Sequence, residues 1–244
     1  MSRILIVNAD DCNLTPGVTD AILDCHENGI VSSTTFLINL YNSDDTLRRL
    51  KKYKRLGIGL HLNVTLGTPV TAVSKIGSLL SPRGGFKKVG EQLRRPPKIA
   101  ELLLEYESQI RLFNRFFGTK PTHLDTHHHL HDHPAFFKAL AQAAKKYQLP
   151  VRRSAVLTGL KTTDFFFGNL NPEGYWREEA LVTLLKNFPT GVSEIMCHPG
   201  KNDRALALIS SFREGRAAEH CLFRSPSLRR LLSQCGITLT HFGL

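Results

Sequence analysis

The stretch of this 244-residue chain with the clearest chemical character is a short internal run rich in histidine. Six of the eleven histidines lie between His123 and His133, in the order His-Leu-Asp-Thr-His-His-His-Leu-His-Asp-His. Imidazole is the commonest metal-binding side chain, and a carboxylate such as Asp125 can bind an ion or orient an imidazole ring. Because the run is internal and a helical pattern follows it from Pro134, it is not typical of a purification tag. The run therefore predicts a metal site or a catalytic histidine.

Spacing alone does not identify which histidines act. His127 and His131 would share one face of an α-helix, whereas His127 and His129 would share a face only in an extended chain. A solvated polar loop is the alternative for the whole run. Whether His128, His129 or His131 contributes to a metal site is therefore left open by the sequence.

Two adjacent carboxylates, Asp10 and Asp11, follow the run Arg3–Val7, which reads as a buried strand. One carboxylate can hold a cation while the other accepts a proton, because the cation keeps its own ligand ionised. The competing interpretation is a helix cap or an Asx turn. Since the predicted helix begins several residues later, at Pro16, a functional role is favoured, and residues 8–15 are expected to form a loop.

Two further histidines lie at predicted strand ends. His61 alternates with apolar neighbours in the strand Gly57–Val64, where a lone histidine is more often a core residue than a ligand. His198 lies at the end of the strand Ser193–Met196, just before a turn, where a general acid could face the site. The alternative is a histidine that only forms part of the turn. In α/β enzymes, catalytic residues lie at the carboxyl ends of parallel strands. We therefore expect one edge of the sheet to bring together these two histidines, the histidine run and the two aspartates.

Short apolar runs alternate with segments whose apolar residues recur at helical spacing. This pattern predicts about seven strands separated by helices. The other predicted strands are Ser33–Ile38, Thr122–Asp125, one beginning at Pro150–Arg152, and Gly236–Thr240. The predicted helices are Pro16 to Asn28-Gly29, Asp44–Lys54 capped by Ser43, Ile99–Phe117 ended at Gly118, Pro134–Tyr147, Tyr175–Lys186 and Leu228–Leu232 behind Ser225-Pro226. The segment Thr65–Lys98 lies between the predicted strand Gly57–Val64 and the predicted helix Ile99–Phe117. Its apolar residues show only weak periodicity, which predicts a functional or mobile loop insertion. The alternation predicts an α/β fold, either closed as a barrel or open.

Composition narrows the class of protein. The length suits a single domain over residues 1–244, and the apolar runs are too short for a membrane span or a signal peptide, so a cytoplasmic protein is expected. Five cysteines without CxxC spacing do not indicate a disulfide framework. The net charge of +11 is diffuse and lacks a nucleic-acid motif, so neither a nucleic acid nor a membrane is the expected partner. No GxSxG, P-loop or GxGxxG motif is present.

The chain carries a series of motifs in a characteristic order: Val7-Asn8-Ala9-Asp10-Asp11, Gly29-Ile30-Val31-Ser32-Ser33-Thr34, Gly59-Leu60-His61-Leu62, Pro121-Thr122-His123-Leu124-Asp125-Thr126-His127-His128-His129-Leu130-His131, and His198-Pro199-Gly200. Over nearly its whole length it resembles the YdjC-like carbohydrate deacetylases, which include chitooligosaccharide deacetylases. It differs from their usual pattern at Cys12-Asn13, where the family generally has Phe-Gly. Asn tolerates a positive φ, so the turn at Asn13 is expected to form without glycine. The substitution is expected to affect substrate preference more than metal binding.

The resemblance implies an irregular (β/α) barrel of about seven strands, like that of NodB-type polysaccharide deacetylases. It implies a divalent metal bound by Asp11, His61 and His127, with Mg²⁺ expected first and Zn²⁺ or another transition metal as alternatives. By the same resemblance Asp10 would be the general base and His198 the general acid. Asp125 and the remaining histidines of the run would orient these groups or face the substrate.

The expected activity is metal-dependent removal of N-acetyl groups from amino sugars in oligosaccharides. The aromatic residues Phe165–Phe167, Tyr175 and Trp176 could contact sugar rings, and packing against a helix is the alternative for each. A metal-dependent phosphoesterase acting on an anionic substrate would use the same ligand types and would suit the positive charge. A non-catalytic glycan-binding protein is the other alternative. Because closed dimers are the commonest assemblies of soluble proteins, a homodimer is the expected oligomer.

Overall fold

The computed structural model describes residues 2–40, 44–154, 159–168 and 174–243, and it divides into two compact units that interleave along the chain. The first unit comprises Met1–Phe36, Arg48–Ile58 and Thr163–Leu244, and the second comprises Leu37–Leu47 and Gly59–Thr162. Strands alternate with helices, which confirms the α/β class. The assignment of residues 1–244 to a single domain stays a prediction.

The described residues contain seven strands: β1 (Arg3–Cys12), β2 (Ser33–Phe36), β3 (Gly57–Leu62), β4 (Leu124–Thr126), β5 (Phe165–Phe167), β6 (Gly191–Cys197) and β7 (Ile237–Thr240). In the first unit, β1 pairs in parallel with β2, β6 and β7, and β5 pairs in parallel with β6. In the second unit, β3 pairs in parallel with β4. Within the first unit the strand order is β2-β1-β6-β5, with β7 also beside β1.

The α-helices of the described chain are α1 (Pro16–Asn28), α2 (Asp44–Leu50), α3 (Val89–Arg94), α4 (Ile99–Phe117), α5 (Pro134–Tyr147), α6 (Glu178–Lys186), α7 (Arg204–Ile209), α8 (Glu214–Phe223) and α9 (Pro226–Gln234). None of them is both long enough and apolar enough to cross a membrane. The bounds of α4 and α5 agree with those predicted, because both helices have a strongly periodic apolar face. Gly118 ends α4 with a φ of 74°, the left-handed conformation in which glycine is favoured.

The predicted loop at residues 8–15 is wrong in its first part, because β1 continues to Cys12. Asn8 pairs with Ser33 of β2 on one side and with Met196 of β6 on the other. These two ladders keep the polar end of the strand extended, although its sequence reads as a loop. The register shifts between Ala9 and Cys12, which is a bulge that carries the two aspartates.

The segment Thr65–Lys98, predicted as a loop insertion, contains two 3-10 turns and helix α3. The amide of Gln92, on α3, is fully buried and donates to the carbonyls of Val64 and Leu79 at 2.8 and 3.3 Å. Buried apolar side chains, Ile76 and Leu79 among them, lie in the same segment. The segment therefore has an ordered interior that weak sequence periodicity does not reveal.

Several predicted boundaries and caps differ from the structure. Helix α2 ends at Leu50 rather than Lys54, and its predicted cap, Ser43, lies outside the described residues. Ser225 makes no side-chain capping bond to α9, since its hydroxyl pairs with that of Ser227. The strand predicted to begin at Pro150 is a single bridge between Val151 and Leu124.

Helices α7 and α8 and strand β5 form in segments for which the sequence predicted neither a helix nor a strand. Helix α8 buries Gly215, Arg216, Glu219 and Phe223. Because two of these four residues are charged and one is glycine, the buried face has no apolar periodicity. The spacing of apolar residues in the sequence therefore does not predict this helix.

Gly29, predicted as the stop of α1, is required at the end of this helix for a steric reason. Its φ is −117°, so a left-handed backbone is not required. A Cβ at this position would lie 1.7 Å from the carbonyl oxygen of Phe223, which accepts a hydrogen bond from Ile30. We expect Gly29→Ala to lower the free energy of unfolding by about 3 kcal/mol, because backbone must move to admit the methyl group.

Urea unfolding of Gly29→Ala and Gly118→Ala tests this expectation. Gly118 has open space around its missing Cβ and a positive φ, so its substitution should cost only about 1 kcal/mol of backbone strain. A Gly29→Ala loss no larger than the Gly118→Ala loss would contradict the steric explanation.

Candidate active site

The first unit presents two buried carboxylates at the end of β1. Asp10 and Asp11 are 1% and 2% exposed, and Asn8 donates from Nδ2 to Oδ1 of Asp10 at 2.9 Å. Asp11 has a φ of 67°, so the bulge gives it a left-handed backbone that is uncommon for a residue other than glycine. Cys12 and Asn13 follow, and Asn13 has a φ of 75°, as expected for a turn that survives the loss of glycine.

Arg216, on α8, forms a buried ion pair with Asp11. Its Nη2 lies 2.6 Å from Oδ2 of Asp11, and their side chains are 5% and 3% exposed. A charge-assisted bond of this length fixes the orientation of the carboxylate. The sequence did not reveal Arg216, because no helix was predicted where α8 lies.

His198 follows β6 and faces Asp10. Its Nε2 lies 3.9 Å from Oδ2 of Asp10, too far for a hydrogen bond but close enough for a protonated imidazole to attract the carboxylate. The ring of Phe212 packs edge-on against the imidazole, with 5.9 Å between centroids. Gly215 makes room for Phe212, because a Cβ there would lie 2.3 Å from the phenyl ring.

Glu219, also on α8, holds the backbone that carries His198. Its two carboxylate oxygens accept hydrogen bonds from the backbone N–H groups of His198 and Trp176. Trp176 is itself 2% exposed and donates from Nε1 to the carbonyl of Met196 at 2.7 Å. The Trp176 ring is therefore packed in the interior, which is the alternative to a sugar contact that the sequence allowed. Glu219 is a second residue that the sequence did not reveal.

Burial raises the pKa of Glu219 to about 7, although the two N–H donors and Arg216 oppose the shift. The nearby charge of Asp10 raises it further. The folded carboxyl therefore keeps a proton between pH 4.5 and about 7 that the unfolded carboxyl releases. The stability contributed by this group falls as pH rises through that window, by about 3 kcal/mol in total.

We expect Glu219→Gln to remove this pH dependence, because glutamine stays neutral throughout. The difference in unfolding free energy between the wild type and Glu219→Gln should shift by about 3 kcal/mol in favour of the variant between pH 5 and pH 8. Urea unfolding at pH 5, 6, 7 and 8 measures this shift. Parallel pH profiles for the two proteins would show that Glu219 titrates as it does in the unfolded chain.

The second unit contains a buried chain of charged and polar groups around His61. The ladder between β3 and β4 pairs His61 with Asp125, which places their side chains on one face. Nδ1 of His61 lies 2.7 Å from Oδ1 of Asp125, and Nη1 of Arg152 lies 2.9 Å from Oδ2 of the same carboxylate. All three side chains are 2% exposed or less. The carboxylate fixes the Nδ1–H tautomer of His61 and leaves the Nε2 lone pair as an acceptor.

His127 directs a ring nitrogen at that lone pair. Its Nδ1 lies 3.3 Å from Nε2 of His61, and the two rings are inclined at 69°. Two nitrogens bound to one tetrahedral ion at the usual bond length of about 2.05 Å would lie about 3.3 Å apart. The pair thus has the separation of two ligands of a single ion, and the donor set suits a divalent metal.

The remaining histidines of the run take other positions. His128 and His129 have φ values of 59° and 50°, so the segment His127–Asp132 is neither a regular helix nor an extended strand. His131 is 1% exposed, and its Nδ1 lies 2.7 Å from the Thr126 hydroxyl. Neither periodicity considered for the run applies, because the backbone is left-handed at His128 and His129.

The five predicted site residues thus divide between the two units. Asp10, Asp11 and His198 lie together in the first unit, and His61 and His127 lie together in the second. Their assignment as ligands, base and acid stays a prediction. The residues that the sequence did not reveal, Arg216, Glu219 and Arg152, are buried charged groups with no local sequence signature.

A family model described as YdjC-like protein matches residues 4–234. The chain belongs to the YdjC-like family. This YdjC-like protein is 36% identical to a carbohydrate deacetylase of Geobacillus stearothermophilus, over 99% of its own length and 98% of the relative. It is 30% identical to a chitooligosaccharide deacetylase of Yersinia pseudotuberculosis serotype O:1b, with 99% of both chains covered. The resemblance expected from the motifs is confirmed.

Two solved structures resemble this YdjC-like protein in fold. One, from Enterococcus faecalis V583, has been suggested to be a cellobiose-phosphate cleavage protein; its TM-score is 0.89 at 27% identity, with 99% and 98% of the chains covered. The other is a family 4 carbohydrate esterase from Streptomyces lividans, with a TM-score of 0.55 at 12% identity and 97% and 91% coverage. At that identity the second likeness concerns the fold alone, and it confirms the predicted α/β barrel-like class.

Proposed function

We propose that this YdjC-like protein is a metal-dependent hydrolase that removes N-acetyl groups from amino sugars in oligosaccharides of the chitooligosaccharide type. The observation that carries the proposal is the 3.3 Å approach of His127 Nδ1 to His61 Nε2, with the tautomer of His61 fixed by Asp125. The names of the curated relatives, carbohydrate deacetylase and chitooligosaccharide deacetylase, support the class of reaction.

Asp11, His61 and His127 would hold the ion, a mixed set of one carboxylate and two imidazoles. Mg²⁺, Zn²⁺ and other divalent ions all accept such a set. Arg216 contacts Oδ2 of Asp11, so Oδ1 is the oxygen proposed for the metal. When bound, a divalent ion lowers the pKa of water and polarises a carbonyl group.

Asp10 would act as the general base and His198 as the general acid. Asp10 takes a proton from the attacking water, whose oxygen forms a bond to the acetyl carbon. The carbon–nitrogen bond then breaks, and His198 gives its proton to the departing amine nitrogen, which leaves acetate and a free amino sugar. An ionised Asp10 and a protonated His198 attract each other across 3.9 Å, so each favours the charge state that the other needs.

Phe212 is proposed to face the sugar, because it is half-buried and already lies against the His198 ring. Phe165, on β5, is 40% exposed and remains a second candidate for such a contact. An aromatic face beside the acid would orient a pyranose ring by apolar contact.

A metal-dependent phosphoesterase is the second candidate function. The net charge of +11 favours an anionic substrate, and cellobiose-phosphate cleavage is the activity suggested for the similar Enterococcus faecalis protein. Asp11, His61 and His127 could bind the metal in either enzyme, so the ligands do not distinguish deacetylation from phosphoester hydrolysis.

Acetate release from N,N′-diacetylchitobiose and longer N-acetylated oligosaccharides tests the proposal. The protein is stripped with a chelator and reloaded with single divalent metals, and release should vanish on stripping and return on reloading. A phosphorylated disaccharide is assayed in parallel for free phosphate. Phosphate release without acetate release from any glycan, under every metal, would replace the deacetylase assignment with the phosphoesterase.

A further inference from the structure

The first unit contains a broad groove away from the candidate catalytic residues. The groove has a volume of about 1010 Å³, and all of its lining residues belong to this unit. Two of them, Leu239 and Thr240, pair with Leu5 and Ile6 of β1, several residues before Asp10. At about 3.3 Å per residue, that separation along the strand exceeds roughly 13 Å. The groove is thus distinct from the site around Asp10.

Two short strands that share β1 explain why the groove exists. Strand β7 pairs with β1 only as far as Ile6, and β2 pairs with it only from Asn8 onward. The two strands therefore follow one another along β1, and a recess remains where β7 ends and β2 begins. Ser32, just before β2, and Thr240, the last residue of β7, both line the recess.

The floor and walls of the groove supply apolar surface and hydroxyl groups. Leu232, Ile237 and Leu239 are apolar lining residues, and Ser32, Ser233 and Thr240 carry hydroxyls. The rings of Tyr53 and His26 meet edge-to-face at one wall, with 5.7 Å between centroids. Such a lining suits an organic molecule with a ring and polar substituents.

The rim of the groove is strongly basic. Lys52, Lys54 and Arg55 lie on the turn before β3, are exposed, and make no ion pair with a carboxylate in the described part of the chain. Arg229, on α9, is fixed in the groove by its bonds to the carbonyls at the end of α1. The single acidic lining residue, Glu27, accepts a hydrogen bond from the Tyr53 hydroxyl.

The positive field reaches into the groove. The pKa of His26 is lowered, first by burial and then by the charges of Arg55 and Arg229. Nδ1 of His26 lies 2.8 Å from the Val31 carbonyl, so its ring is held in place. With His26 neutral, the four cationic side chains and Glu27 leave a net charge of about +3.

We propose that this basic groove binds a small organic diphosphate, a molecule of nucleoside-diphosphate size that carries an aromatic ring system. The net charge matches such a ligand, because one phosphate group carries roughly −1.5 to −2 at pH 7 and a second adds to it. The ring lies on the apolar wall beside Tyr53, and the phosphates meet Lys54, Arg55 and Arg229. The proposal is independent of the deacetylase assignment.

Isothermal titration of the full-length protein with ADP, pyrophosphate, inorganic phosphate and adenosine tests the groove. ADP should bind most tightly, pyrophosphate and phosphate more weakly, and adenosine least. The double variant Lys54→Glu with Arg55→Glu should lose at least tenfold in affinity for ADP. Both side chains are exposed, so the fold should tolerate these changes.

The control is Lys138→Glu with Lys161→Glu, which makes the same change in net charge with exposed lysines of the second unit. This control should bind ADP as the wild type does. Equal losses in the two double variants would mean attraction to overall charge rather than a site, and would overturn the proposal. So would absence of ADP binding to the wild type at low ionic strength.

Discussion

Asp10→Asn is expected to lower kcat for acetate release about 1,000-fold, the loss typical of removing a positioned general base. Asparagine has the shape of aspartate and can still accept the Asn8 hydrogen bond through its amide oxygen. It cannot take a proton from water or attract a protonated His198 across the 3.9 Å gap. The fold and the ion pair between Arg216 and Asp11 should be preserved, so the loss would be chemical rather than structural.

Steady-state kinetics on N,N′-diacetylchitobiose with a saturating metal measures this effect, and urea unfolding verifies stability. Asp45→Asn, which removes an exposed carboxylate on α2, is the matched control and should keep its rate within twofold. A loss below about fivefold in Asp10→Asn would remove Asp10 as the base. It would leave the metal-binding proposal standing, since that depends on other residues.

Arg216→Met is expected to lower the free energy of unfolding in chelator by about 3–5 kcal/mol, the usual cost of breaking a buried ion pair from one side. Methionine keeps much of the apolar stem, so the main change is the loss of positive charge beside Asp11. Because a bound cation would supply positive charge to the same carboxylate, saturating divalent metal should recover more stability in Arg216→Met than in the wild type. At 100 times Kd, binding alone stabilises a folded state by about 2.7 kcal/mol.

Urea unfolding with chelator and with metal, for wild type and variant, gives the four free energies that this comparison needs. Arg49→Met is the control, because Arg49 pairs with Asp20 at the same 2.6 Å while both side chains are 36% exposed. A solvated pair of that kind is worth no more than about 1 kcal/mol. Equal losses in the two variants, or equal stabilisation by metal in Arg216→Met and the wild type, would refute the coupling between Arg216 and a metal at Asp11.

The sequence predicted well those helices and strands whose formation depends on residues close together in the chain. Helices α4 and α5 have apolar faces at helical spacing, and Pro134 and Gly118 mark a start and an end. Most strand ends were located to within about two residues because short apolar runs stop at polar residues, and β1 is the exception. That reasoning also drew attention to Asp10, Asp11, His61, His198 and the histidine run. The choice of His127 within the run came from the resemblance to the family.

The parts that sequence did not predict depend on contacts distant along the chain. Strand β1 runs through its two aspartates because β2 and β6 flank it, which no local pattern records. Helix α8 uses Arg216 and Glu219 as its buried face, and only the partners Asp11 and His198 explain why charged residues lie inside. The left-handed turn at His128-His129 likewise could not be read from histidine spacing.

The interleaving of the two units has a consequence for synthesis on the ribosome. Strand β1 emerges early, yet its partners β6 and β7 come from Thr163–Leu244, after the whole second unit. At 5–20 residues per second, β1 would have β2 beside it early but would wait on the order of 10–40 s for β6 and β7. The second unit, in contrast, has nearly all of its residues available before translation reaches Thr163. We therefore expect the second unit to acquire structure first and β1 to depend on chaperone protection until the last strands are made.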